Sequence, residues 1–143
     1  MYAWEPNPHL YNSSALPEGE WWGDLPAAIR EKVRFYHDFV GEGDDGAPRP
    51  PNSFLGVLAA AKPDDFVAVK VDIDTPAAEL AIVQALAEDP QLASLVDELY
   101  FEYHFYFDGL DFGWRDHVSG DVDTAIGLMH RLRALGVRAH FWI

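Results

Sequence analysis

The chain contains no cysteine, which excludes disulfides, thiolate zinc sites and cysteine nucleophiles while leaving the redox compartment open. Basic residues are also few: 10 Lys plus Arg face 24 Asp plus Glu, for a formal charge of −14 over 143 residues. A field of that sign repels phosphate backbones and anionic lipid, which argues against direct contact with nucleic acid. No apolar run approaches the roughly 18 residues of a membrane-spanning helix. No G-x-S-x-G elbow is present, so serine hydrolysis has no support. Nor does a G-x-G loop follow the first predicted strand, residues 1–5, where the usual dinucleotide fingerprint would open. No targeting peptide is visible, because the first residues already read as a core strand, so a soluble intracellular or organellar protein is expected.

What is present is apolar and aromatic. Hydrophobic residues make up 49% of the chain and aromatics 14%. A chain of this length buries roughly 68 to 70% of its unfolded surface, enough for one domain spanning residues 1–143. The stretch GEGDDGAPRPPN, residues 41–52, reads as a flexible acidic loop inside that domain.

Along the chain, strand and helix patterns alternate. Residues 1–5 and Val33 to Val40 read as strands, with a short helix from Leu25 between them and Pro26 in its first turn. A helix is expected from Ser53, stopped by Lys62-Pro63. Phe66 to Val71 shows almost no alternation, as a strand buried on both faces would. Thr75 and Pro76 open a helix whose apolar positions are Leu80, Val83, Leu86 and Ala87, and PQLASLVD is a further short helical segment. Glu98 to Phe107 is a strand. Asp121 or Asp123 caps a last helix that ends at Arg131, Arg133 and Gly136, before the closing strand VRAHFWI. This order predicts an α/β fold with a mostly parallel sheet flanked by helices.

Ligands of open α/β sheets bind beyond the carboxyl ends of the strands. Glu5, Asp72, Asp74, Glu102 and His104 fall there. Asp72, Glu102 and His104 are the candidate acid and base, and the same three types could form a two-oxygen, one-nitrogen metal triad. The D-x-D of VDID could hold Mg²⁺ or Mn²⁺ in the manner of a glycosyltransferase, provided the strand has broken at Asp72. His130 reads as a surface or partly buried histidine, and His37, His117 and His140 have no spaced partners. Trp21, Trp22 and Trp114, in predicted loops, suit a contact surface.

Three motifs in order carry a resemblance. YAWEPNP at residues 2–8, VKVDID at residues 69–74 with Glu79 beyond it, and ELYFEYHF at residues 98–105 are similar to successive strand ends of FkbM-type methyltransferases, a branch of the class I S-adenosylmethionine-dependent enzymes. The likeness covers the chain to about residue 107. It implies a Rossmann-like sheet, S-adenosylmethionine held by Glu5, Asn7 and Asp74 with Glu5 on the ribose, and methyl transfer at Asp72, Glu102 and His104. Asp74 stands where that family has Glu, Thr75 where it has Gly, and Glu79 lies two residues late.

Without a first strand and its glycine-rich loop, the resemblance implies a sheet incomplete at its N-terminal side. The expected function is then a non-catalytic interaction or scaffold subunit, its sheet completed by a protein partner or a second copy of the chain. An active O- or N-methyltransferase completed by further sequence or another chain is the alternative, and a metal-dependent glycosyltransferase-like domain using Asp72 and Asp74 is the second.

Overall fold

The computed structural model describes residues 1–4, 26–32, 34–36, 53–73, 75–104 and 121–142. Expectations for Glu5, Asn7, Asp74, the acidic loop at 41–52 and Trp21, Trp22 and Trp114 lie outside those residues. The chain divides into two compact units, Met1–Phe54 and Leu55–Ile143.

In the first unit, strand β1 (Tyr2–Trp4) pairs in parallel with β2 (Arg34–Tyr36), Tyr2 opposite Arg34 and Trp4 opposite Tyr36. Parallel neighbours need a crossover, and helix α1 (Ala27–Arg30) lies on it. Pro26 occupies the N-cap position just ahead of the helix rather than its first turn. The Met1 ammonium donates to Lys32 O at 2.7 Å, and the Trp4 and Tyr36 rings stack at 5.3 Å across the pair.

The second unit opens within α2 (Phe54–Leu58), which buries Leu55 and Leu58. This helix is shorter than expected. It gives way to turns before Lys62, whose N–H is taken by the Asp65 carboxylate at 2.9 Å.

Strands β3 (Ala68–Val71), β4 (Glu98–Glu102) and β5 (Arg138–Trp142) form a parallel sheet in that order. Helix α3 (Pro76–Glu88) and the short α4 (Pro90–Ala93) connect β3 to β4, and α5 (Val122–Ala134) connects β4 to β5. Successive crossovers that step the same way and are both right-handed put their helices on one face. The burial pattern agrees, since Val69, Val71, Leu99, Phe101 and Ala139 face inward with Val83, Leu86, Leu128 and Leu132 of the helices, all buried.

That arrangement corrects the reading of β3 as a strand buried on both faces. Ala68 and Lys70 are exposed, and Phe66 lies outside the strand with 67% of its surface open. The pairing starts after Val67 because Asp97 claims that residue: its carboxylate accepts from Val67 N–H at 2.8 Å, and its own N–H donates to Val67 O. The strand β4 also ends earlier than expected, at Glu102.

Local chemistry sets the helix ends. Asp121, not Asp123, caps α5 by accepting from Thr124 N–H at 2.8 Å. At its other end Gly136 takes φ +99, and Val137 N–H reaches back to Leu132 O, as a glycine-terminated helix does. The Arg133 guanidinium then donates to Ala139 O of β5. Thr75 stands at the N-cap of α3, but its hydroxyl donates to Ile73 O at 3.3 Å and makes no side-chain cap. Among the described residues no helix is long and apolar enough to cross a membrane.

Candidate functional site

Parallel strands point all their carboxyl ends to one edge of the sheet. β3 ends at Val71 and β4 at Glu102, so Asp72 follows one strand while Glu102 and then His104 close the neighbouring one. The helix α3 starts beside the same edge and brings Glu79 from its first turn. Sequence positions 72, 79, 102 and 104 thus meet through two strand ends and one helix start.

The imidazole of His104 sits between two carboxylates. Its Nε2 lies 3.2 Å from Glu79 Oε2 and 3.9 Å from Glu102 Oε2. The side chains of His104 and Glu79 are 6% and 1% exposed, whereas those of Glu102 and Asp72 keep 29% and 25% of their surface in solvent. Glu79 Oε1 accepts from Ile73 N–H at 2.7 Å. A pocket lined by Pro76, Glu79, Leu80, Phe101, Tyr103 and His104 opens on this cluster.

Asp72 stands beside Glu102 at the same edge. The Lys70 ammonium, bonded to its carboxylate, holds Asp72 below the usual carboxylate range against the opposing effect of partial burial, and Glu102 and His104 add to the lowering. The same ammonium stands 4.8 Å over the Trp142 ring. Tyr103, on the pocket wall, has its phenol pushed up by burial and by the charge of Asp121.

The three predicted acid and base residues, Asp72, Glu102 and His104, are therefore gathered at one edge, while Glu5, Asn7 and Asp74 fall outside the described residues. The strand has broken before Asp72, as a metal-holding D-x-D would need, yet among the described residues no three acids or histidines converge as ligands of a metal ion. The triad of Asp72, Glu102 and His104 is not such a set. His140, assigned no partner from sequence, stacks on Tyr100 at 5.1 Å, and His130 is exposed on α5.

Glu79 is the member that spacing set aside. The buried stripe of α3 runs Glu79, Ile82, Val83, Leu86, so a carboxylate stands at a helical core position. That misplaced charge was the legible signal, because an acid kept from water needs partners.

No family model, curated protein or solved structure matches this chain.

Proposed function

We propose that the chain is a methyltransferase-like α/β domain of the FkbM type, with the carboxyl edge of the β3–β4–β5 sheet as its methyl-acceptor site. The order of the motifs suggests the family. One observation carries the chemistry: Asp72, Glu102 and His104 converge at the edge where open α/β sheets bind ligands.

The donor set, carboxylates with one imidazole, suits a cationic sulfonium and a neutral hydroxyl or amine beside it. Asp74, two residues beyond Asp72, is the residue of this unit that would hold S-adenosylmethionine. When bound, that cofactor supplies an electrophilic methyl group.

The chain's own residues do the remainder. Glu102 and Asp72, both partly open to solvent, accept hydrogen bonds from the acceptor and orient it. His104, which lines the pocket, takes its proton, a role that contributes on the order of 10² to 10⁴ in rate. Leu80 and Phe101 line the pocket and limit water there.

Calorimetric titration with S-adenosylhomocysteine tests this reading, with Asp74→Asn as the control. Saturable binding, weakened by the substitution, is expected. A folded chain that gives no heat would overturn the catalytic reading and favour the interaction subunit. That second reading has its own support in the open sheet face, where Trp142 is 42% exposed.

A further inference from the structure

Glu79 is the only charged side chain buried among the described residues. Its two oxygens serve two different segments. Oε1 accepts from the Ile73 N–H at 2.7 Å, just past the end of β3, and Oε2 lies 3.2 Å from His104 Nε2, just past the end of β4. Glu102 Oε2 stands 3.9 Å from the same nitrogen.

The two buried atoms stand 3.2 Å apart outside hydrogen-bond geometry, and bare lone pairs at that separation would repel, so a proton on Nε2, turned toward the carboxylate, relieves the contact. With Nε2 protonated, Nδ1 is the basic nitrogen of the neutral ring.

We propose that Glu79 is the positioning residue of this edge: one oxygen holds the turn after β3, and the other fixes the His104 proton on Nε2. A single buried carboxylate thereby sets both the spacing of the two strand ends and the nitrogen that accepts a proton. The inference rests on His104 as the proton acceptor of the proposed reaction, but its test needs no methyl transfer.

The test is long-range ¹H–¹⁵N NMR of the histidine rings in the full chain, with His104→Gln to assign the signal. In the unmodified chain the neutral His104 ring is expected to carry its proton on Nε2. Glu79→Gln keeps an oxygen for Ile73 and removes the charge that faces His104. The Ile73 amide should then exchange within about threefold of its original rate, while the His104 proton redistributes toward Nδ1. Glu79→Ala removes both contacts and should speed Ile73 exchange by about tenfold or more.

A ring protonated on Nδ1 in the unmodified chain overturns the proposal. So do His104 signals in Glu79→Gln identical to those of the unmodified chain. Should Glu79→Gln fail to fold, the unmodified spectrum decides alone. Silence in the S-adenosylhomocysteine titration beside the expected spectra would remove the methyltransferase reading and leave Glu79 as the residue that orients His104. Binding beside unchanged spectra would do the reverse.

Discussion

The two faces of the β3–β4–β5 sheet are made by alternate residues of the same strands, yet they differ in every respect that matters. One face, formed by Val69, Val71, Leu99, Phe101 and Ala139, is buried under α3 and α5. The other carries Ala68, Lys70, Glu98, Tyr100, Arg138, His140 and Trp142, with no residue among them buried. Its groups partner one another: Arg138 with Glu98 at 3.2 Å, Tyr100 with His140, and Lys70 with Trp142. Apolar burial on the first face supplies the stability, and the second is a surface of polar and aromatic pairs. The candidate chemistry sits where they meet, with Glu79 arriving from the helix side and Asp72 and Glu102 ending the open side.

The largest test of this contrast is on the covered face. Leu99 lies at the centre of the sheet with none of its surface exposed, so Leu99→Ala is expected to cost about 2 to 5 kcal/mol in urea unfolding. A cost comparable to an open-face substitution would break the comparison. Next comes the hinge from α5 into β5. No atom lies within 4 Å of a Cβ built on Gly136, so Gly136→Ala meets only the left-handed backbone and should cost about 1 to 2 kcal/mol. On the open face, Trp142→Ala forfeits an exposed cation–π contact and an edge contact with Tyr100, a loss expected to stay below about 1 kcal/mol.

The smallest effect is a pH dependence. Asp72 is held below its ordinary range when folded, so its contribution to stability is complete above the unfolded value of about 4. It is lost as pH falls through the lowered folded value. Unfolding midpoints of the unmodified chain and Asp72→Asn should therefore differ by a constant amount from pH 7 to about 5 and converge below about 4. Convergence on raising the pH instead would contradict the role of Lys70.

Much of this was legible because local signals agreed with tertiary ones. The strand and helix order, the Asp121 cap and Gly136 all follow from short-range chemistry, as does the gathering of Asp72, Glu102 and His104 once parallel strands are assumed. The one-sided burial of β3 was not legible. Phe66 and Ala68 are apolar yet exposed, and apolar residues on a surface leave no mark in a hydropathy pattern. The place of Glu79 depended on packing two strand ends against one helix start, which spacing alone does not encode. Thr75 missed its cap because Ile73 O drew its hydroxyl.

The claim that the sheet's carboxyl edge is a methyl-acceptor site is tested most directly by transfer of a radiolabelled methyl group from S-adenosylmethionine to a panel of small hydroxyl and amine acceptors. Incorporation by the unmodified chain, falling at least about 100-fold in His104→Gln and unchanged in Trp142→Ala, is the expected result. Incorporation that survives His104→Gln, or none from any acceptor by a folded chain that binds the cofactor product, would contradict it.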